Sequence, residues 1–232
     1  PARQIVARLG ERGLRELLRV YYGCVALLDD QVGRLLDTLD RTGQREETLV
    51  VFTADHGDML GGHGMFWKGT TAFYEEIAGV PLLVDGPGVA DRDADDQPAS
   101  LVDLHPTLLD FAGVETPADV QGTDLGPYLR GETDGEELPA YSFGERVDSN
   151  EVKTRTVYEE PLPGSFMVRG RRFKYTVHDD GAEFLYDRDA DPGETTDVCD
   201  RHPEVRAEMR TALREWLAET AYPGDPLAAG GA

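Results

Sequence analysis

The chain has 232 residues, of which 45 are Asp or Glu and 23 are Lys or Arg, so its formal net charge at pH 7 is −22. This balance argues against binding to nucleic acid or to an anionic membrane, because both are themselves negatively charged. With 40% hydrophobic residues, the chain can build the core of one large or two small domains.

Charge, cysteine content and hydropathy set further expectations. A dense carboxylate surface suits a salt-rich environment, where counterions screen self-repulsion, so we expect a halophilic source; an acidic protein from ordinary salinity is the alternative. Cys24 and Cys199 make no disulfide framework, and we expect Cys24 to be buried and Cys199 to be exposed. No apolar run of about 18 residues occurs, so no membrane span is predicted. The sequence thus predicts a soluble protein and leaves open both its compartment, cytoplasmic or exported, and its oligomeric state.

Hydrophobic periodicity predicts a long amphipathic helix at the start of the chain. Apolar residues recur at three- and four-residue spacing from Leu14 to Leu39, and Gly43 is expected to stop the helix near Asp40. Buried strands are predicted at Thr48–Thr53 and Val80–Val84. Because a helix followed by a buried strand is half of a βαβ unit, we expect a parallel or mixed sheet.

The later elements predict a second, smaller domain. A short helix is expected from its N-cap Asp103 to Gly113. The linker-like segment 131–137 indicates a boundary after residue 135, which divides the chain into domains 1–135 and 136–232. Alternating segments then predict an antiparallel sheet that an amphipathic helix covers. These segments are Phe166–Val168, Arg172–Val177, Glu183–Tyr186 and the helix Pro203–Thr220.

Potential chemistry concentrates in the segment TLVVFTADHGDMLGGHGMFWKG, residues 48–69. Asp55 and His56 come directly after the first predicted strand, and ligands of open α/β sheets bind beyond the carboxyl ends of strands. A carboxylate beside an imidazole suits a divalent metal, and Lys68 offers a compact positive charge to an anionic group. The alternative is a polar turn in which His56 caps backbone groups.

The same segment resembles the second metal-binding motif of the type I sulfatases, which belong to the alkaline-phosphatase-like superfamily. The resemblance extends in the family's order from about residue 14 to residue 220. It is carried by the segments FYEE at 73–76, VPLLV at 80–84, GPG at 86–88, DLHPTLLD at 103–110, LYD at 185–187 and DPGE at 191–194. It implies an α/β fold: a partial alkaline-phosphatase-like parallel or mixed sheet with flanking helices, followed by a small C-terminal antiparallel sheet and helix.

Carried over residue by residue, the resemblance implies that Asp55 and His56 bind a divalent ion, which is usually Ca²⁺ in sulfatases. Lys68, twelve residues after His56, matches the lysine that contacts the sulfate ester and stabilises charge. His63 lies in the same loop, and we expect it to order that loop without touching the metal.

The family's nucleophile is a cysteine or serine in the motif Cys/Ser-x-Pro-x-Arg, which is converted to formylglycine. Neither cysteine of the chain is followed by this pattern, and none of its four serines has proline two residues later. The family's opening pair of aspartates also has no counterpart before Tyr21. The resemblance therefore indicates the C-terminal half of a sulfatase, with the formylglycine expected in a missing N-terminal half.

The predicted function of the parent protein is hydrolysis of a sulfate ester with a divalent metal. A phosphonate monoester or phosphodiester hydrolase of the same superfamily is the first alternative, and an inactive structural or interaction fragment is the second. The alternating Asp187, Asp189 and Asp191 do not form an EF-hand loop, because Pro192 stands where that loop needs glycine. His105, His178 and His202 share no ligand spacing and are expected to be structural or exposed.

Overall fold

The computed structural model describes residues 2–66, 68, 73–92, 97–146, 164–178, 180–220 and 227. Its helices are α1 (Ala2–Thr42), α2 (Glu75–Ala78), α3 (Leu104–Phe111), α4 (Gly126–Leu129) and α5 (Pro203–Glu219). Its strands are β1 (Val50–Thr53), β2 (Leu82–Asp85), β3 (Ser142–Arg146), β4 (Ser165–Arg169), β5 (Phe173–His178) and β6 (Glu183–Asp187). This mixture of helices and sheets confirms the predicted α/β class.

The chain forms two compact units. The first comprises Pro1–Gly69, Glu76–Arg92 and Leu129–Glu132, and the second comprises Thr70–Glu75, Asp93–Tyr128 and Thr133–Ala232. The units interleave along the sequence, whereas the prediction places a single boundary after residue 135. That boundary stays a prediction.

Helix α1 ends as its sequence predicts. Gly43 has a φ of 69°, a conformation that glycine adopts without steric cost. Its N–H donates to the carbonyl oxygen of Asp40 at 3.1 Å, and the N–H of Gln44 donates to that of Leu39 at 2.9 Å. These two bonds are a Schellman motif, which satisfies the last carbonyl groups of the helix. Near the other end, Gly10 with a φ of 60° interrupts the helical geometry.

Strands β1 and β2 pair antiparallel, with Val51 opposite Val84, and no parallel strand pair occurs within the described residues. A parallel pair needs a long crossover, usually a helix. The described part of this connection contains only the four-residue α2 and a short 3-10 turn at Gly62–Gly64. Burial on both faces is not observed either, because Phe52 is 36% and Leu83 62% exposed.

The apolar face of α1 is exposed along much of its length. On this face, Tyr21, Val25, Leu28 and Leu35 are 38%, 46%, 54% and 66% exposed, and Cys24 is exposed as well, so the predicted burial of Cys24 is wrong. Periodicity identified an apolar face correctly, but it does not say whether this chain supplies a partner for that face. Part of the face borders a groove of about 330 Å³ beside β1 and β2. The apolar residues that line this groove are Val25, Leu28, Val32, Leu36, Val50, Phe52 and Leu83.

Helix α3 lies in the second unit and spans the predicted positions. Asp103 precedes its first residue, but the Asp103 carboxylate accepts hydrogen bonds from the backbone N–H groups of Ser100 at 2.7 Å and Thr123 at 2.8 Å. The carboxylate therefore caps the preceding 3-10 turn, Leu101–Asp103, and not α3 itself. Gly113 ends the helix with a φ of 66°, as predicted.

The C-terminal sheet has the strand order β3-β4-β5-β6, and all its neighbours are antiparallel. Three of these strands and the covering helix α5 confirm the prediction, whereas β3 was not predicted. Met209, Leu213 and Leu217 of α5 pack into a core with residues of β4, β5 and β6. Cys199 belongs to this core and is 6% exposed, so its predicted exposure is wrong. Burial raises the pKa of its thiol to about 12, as does the nearby Asp197.

Five charged side chains of the second unit form a group that we call the Lys174 cluster, of which the first two are buried and the others partly exposed: Lys174, Glu194, Glu75, Arg169 and Arg188. Lys174 is fully buried, and its Nζ lies 3.0 Å from Glu75 Oε1 and 2.5 Å from Glu194 Oε1. Arg169 and Arg188 pair with Glu75 at 3.0 Å and 3.2 Å. Burial tends to raise the pKa of Glu75, but Lys174 and Arg169 outweigh it and lower that pKa to about 2. Burial raises the pKa of Glu194, against the opposing effect of Lys174.

Candidate functional site

The predicted site residues Asp55 and His56 follow β1 closely, as expected, and Gly57 after them packs against the backbone of α2. The N–H of Gly57 donates to the carbonyl oxygen of Ile77 at 2.9 Å. A Cβ atom at Gly57 would lie 1.9 Å from the backbone oxygen of Glu76. Only glycine allows this close approach of two backbone segments, which fixes the residue that follows His56.

Asp55 and His56 present their side chains to each other. Asp55 Oδ1 accepts the backbone N–H of His56 at 2.9 Å, and Asp55 Oδ2 lies 3.4 Å from His56 Nε2. The side chain of Asp55 is 84% exposed and that of His56 is 34% exposed. The carboxylate is therefore held in place from one side and open to a ligand on the other.

The tautomer of His56 follows from its other ring nitrogen. His56 Nδ1 lies 2.9 Å from the carbonyl oxygen of Gly57, which can only accept a hydrogen bond, so Nδ1 carries the hydrogen. In the neutral ring, Nε2 then presents a lone pair towards the Asp55 carboxylate. Two electron-pair donors facing each other fit a shared cation, and a backbone carbonyl that orients the ring is usual for a metal-binding histidine. Asp55 and His56 thus fit the ligands on one side of a divalent metal ion.

The loop after Asp58 has unusual backbone geometry. Leu60, Gly61, His63 and Gly64 have positive φ angles of 45°, 101°, 52° and 71°. Leu60 and His63 are not glycine, so the surrounding structure must hold them in this sparsely populated region. The loop is anchored on either side of this stretch by Met59 and Phe66, which are 2% and 5% exposed.

His63 lies in this loop with its side chain 13% exposed, and its Nε2 is 3.9 Å from Glu76 Oε1. In the sequence, Glu76 is marked only by its place in the family-like segment FYEE at 73–76, which indicates no role for it. The signal that would have found it is spatial: α2 brings Glu76 next to Gly57 and Gly62, which come much earlier in the chain.

Lys68 is exposed, so its ammonium group is accessible to an anionic ligand. The structure places Asp55 beside His56 and Glu76 beside His63. Within the described ranges, no group of three or more His, Cys, Asp or Glu residues could hold a metal by itself. The roles of Asp55, His56, His63 and Lys68 remain predictions.

Three further acidic and histidine positions considered in the sequence analysis make structural contacts. Asp187 pairs with Arg172 at 2.6 Å, and Asp191 accepts the backbone N–H groups of Thr195 and Thr196, each at 2.8 Å. His178 packs edge-on against Phe184. No helix in the described part of the chain is both long enough and apolar enough to cross a membrane.

Comparison with known proteins specifies the family to which this α/β fold belongs. The family model "Sulfatase" matches residues 3–114, and the model "N-sulphoglucosamine sulphohydrolase, C-terminal" matches residues 61–221. The chain therefore belongs to the sulfatase family of the alkaline-phosphatase-like superfamily.

Individual relatives agree with this assignment. The chain is 32% identical to Arylsulfatase K of Xenopus laevis over 207 residues, which are 88% of this chain and 38% of that protein. The solved structure of a 2-O GAG sulfatase matches with a TM-score of 0.81 and 31% identity over 94% of this chain and 48% of the other. Phosphonate monoester hydrolase from Silicibacter pomeroyi matches with a TM-score of 0.77 and 29% identity over 90% and 42%. The chain thus spans less than half the length of these relatives.

Proposed function

We propose that this chain is the C-terminal part of a sulfatase that hydrolyses a sulfate ester, and that Asp55 and His56 form one side of its divalent-metal site. The observation that carries the proposal is their facing pair, with Asp55 Oδ2 3.4 Å from His56 Nε2 and the opposite ring nitrogen bonded to Gly57. Both groups lie at the end of β1, where a ligand can reach them.

Calcium is the metal that we propose, from the family to which the chain belongs. A divalent cation bound there would polarise the sulfuryl oxygens and help to order the nucleophile. Asp55 would supply a charged oxygen, and His56 would supply Nε2 in its neutral form. Because an imidazole also suits other divalent ions, the identity of the metal needs a direct test.

Lys68 is proposed to contact the sulfate group. Its exposed ammonium is a compact point charge that can stabilise negative charge as the ester bond breaks. His63 is proposed to order the loop between the metal ligands and Lys68 without touching the metal.

Three observations support assigning the nucleophile to a missing half. The sequence contains no Cys/Ser-x-Pro-x-Arg motif that could become formylglycine. The chain covers only 38% of Arylsulfatase K. The apolar face of α1 is exposed, as expected if further polypeptide covers it in the parent protein.

The test is turnover of a chromogenic aryl sulfate by the chain alone and by a parent protein that includes the N-terminal half. We expect no turnover above buffer from the chain alone and clear turnover from the parent. Sulfatase activity of the pure chain that is lost in Lys68→Ala would contradict the half-enzyme proposal. A parent without any esterase activity would favour an interaction fragment instead.

The second candidate is a phosphonate monoester hydrolase, which the structural match to the Silicibacter pomeroyi enzyme favours. The two candidates differ in the transferred group and not in the proposed metal ligands. The ratio of kcat/KM for an aryl sulfate to that for an aryl phosphonate monoester, measured on the parent, decides between them.

A further inference from the structure

Glu76 contacts the loop that carries the proposed metal ligands at three places. Its backbone oxygen packs against Gly57, where a Cβ atom would come within 1.9 Å. Its carboxylate lies over Gly62, where a Cβ atom would be 2.7 Å from Oε1. The same oxygen is 3.9 Å from Nε2 of His63. One residue of α2 therefore touches both ends of the turn that leads away from His56.

These contacts occur where the loop needs support. His63 holds a left-handed backbone conformation with a φ of 52°, although it is not glycine. Such a conformation is unfavourable for a residue other than glycine and persists only where neighbours enforce it. The Glu76 carboxylate approaches the imidazole of His63 and occupies the space above Gly62, so it is placed to enforce this geometry.

The side chain of Glu76 is only partly exposed, at 36%. A backbone contact of α2 also helps to place this residue. The next residue, Ile77, accepts the Gly57 N–H at 2.9 Å, which ties the same helix to the residue after His56. The backbone hydrogen bond thus fixes the position of α2. The Glu76 carboxylate adds a side-chain contact, which a substitution can remove without removing the backbone hydrogen bond.

We propose that Glu76 is a positioning residue for the metal site, which holds the loop from Gly57 to His63 so that Asp55 and His56 keep their facing geometry. This inference rests on the proposed function, because it takes Asp55 and His56 as metal ligands. Glu76 itself acts through the loop and is not proposed to bind the metal. Residues that support metal ligands in this way typically change affinity by roughly 10–100-fold when removed.

The experiment uses the parent protein that includes the N-terminal half, freed of metal, with Mn²⁺ as the probe, and follows paramagnetic broadening of the His56 and Gly57 amide signals by NMR. The variants are Asp55→Ala, Glu76→Ala, Glu76→Gln, Gly62→Ala and the double variant Gly62→Ala/Glu76→Ala. Glu47→Ala is the matched control, since it removes one exposed carboxylate of the same unit and corrects for the general attraction of Mn²⁺ to an acidic chain.

Glu76→Ala should raise the half-saturating Mn²⁺ concentration about tenfold relative to Glu47→Ala, and Glu76→Gln should raise it less because the amide still fills the space. Gly62→Ala should act like Glu76→Ala by displacing the carboxylate, but should add no further loss when residue 76 is already alanine. Additive losses would show that Gly62 and Glu76 act independently, and would contradict the inference. The Gly57 amide should also exchange faster with solvent in Glu76→Ala, whether or not metal is present.

Two results overturn the inference in distinguishable ways. If Asp55→Ala weakens Mn²⁺ binding while Glu76→Ala behaves like Glu47→Ala, the positioning role is wrong and the metal site stands. If Asp55→Ala itself binds Mn²⁺ as the unmodified parent protein does, the proposed metal site is wrong, and the role of Glu76 falls with it.

Discussion

Replacing Lys174 by methionine tests whether the Lys174 cluster holds the second unit together. Its Nζ lies 2.5 Å from Glu194 Oε1 and 3.0 Å from Glu75 Oε1, and it donates to the carbonyl oxygen of Phe73 at 2.7 Å. Methionine fills a similar volume but removes the charge and all three contacts. Glu194, which is 2% exposed, would then be a buried carboxylate without its nearest cation.

Two estimates give the size of the effect. Removing one partner of a buried ion pair typically costs about 3–5 kcal/mol, because the other charge remains buried and uncompensated. Independently, the lowering of the Glu75 pKa from 4.5 to about 2 corresponds to about 3 kcal/mol of net interaction, to which Lys174 makes the largest favourable contribution. We therefore expect Lys174→Met to lower the free energy of unfolding by about 3–5 kcal/mol.

Urea unfolding measures this effect through the fluorescence of Trp216, which stacks on Phe143 with 5.1 Å between ring centroids. A Trp67→Phe background makes Trp216 the only tryptophan. The Glu75 N–H donates to Glu194 Oε2 at 2.9 Å. The double variant Lys174→Met/Glu194→Gln should regain about 1–2 kcal/mol, because it removes the uncompensated charge but keeps an acceptor for this N–H. A loss below about 1 kcal/mol for Lys174→Met would refute the reasoning.

The remaining predictions concern acid stability and the proposed site. The pKa of Glu75 is about 2 in the folded chain and 4.5 in the reference state, so its contribution is present above pH 4.5 and is lost as the pH falls towards 2. The stability difference between the unmodified chain and Glu75→Gln should narrow by about 3 kcal/mol over this range in urea titrations; a constant difference would contradict it. In the parent protein, Lys68→Ala should lower kcat for an aryl sulfate by about 10²–10³, and added calcium should not restore it. His63→Ala should cost much less at saturating calcium; equal damage would mean that His63 touches the metal or the substrate.

The helices of this chain were predictable because their signals are local. Gly43 stops α1 by the backbone conformation that it alone allows cheaply, and the spacing of Met209, Leu213 and Leu217 predicts the buried side of α5. Each signal lies within a few residues of the feature that it determines. The three strands β4, β5 and β6 were found in the same way, through alternation and turn residues.

The strand pairing and the burial of individual side chains could not be predicted, because they depend on contacts between segments that are distant in the sequence. The apolar run of β1 is compatible with parallel or antiparallel pairing, and only the connection to β2 decides. A lysine in an alternating strand suggests an exposed face, yet Lys174 is buried because Glu75 and Glu194 from distant segments compensate its charge. Cys24 and Cys199 were misjudged for the same reason, since their burial depends on what covers them.

The candidate site likewise contains residues that the sequence identifies and one that only the structure reveals. Asp55, His56, His63 and Lys68 were identified from the sequence, because residue types and spacing carry the family resemblance. Their predicted roles are still to be tested. Glu76 was not identified, because its proximity to Gly57 and Gly62 exists only after α2 has packed against the loop.

The central claim is that Asp55 and His56 hold the metal of a sulfatase. The most direct test is a calcium titration of aryl sulfate hydrolysis by the parent protein, with Asp55→Ala compared against Lys68→Ala. We predict that Asp55→Ala raises the half-saturating calcium concentration and recovers part of its activity in excess calcium, whereas Lys68→Ala saturates normally at a low kcat. A calcium dependence of Asp55→Ala identical to that of the unmodified protein would contradict the account.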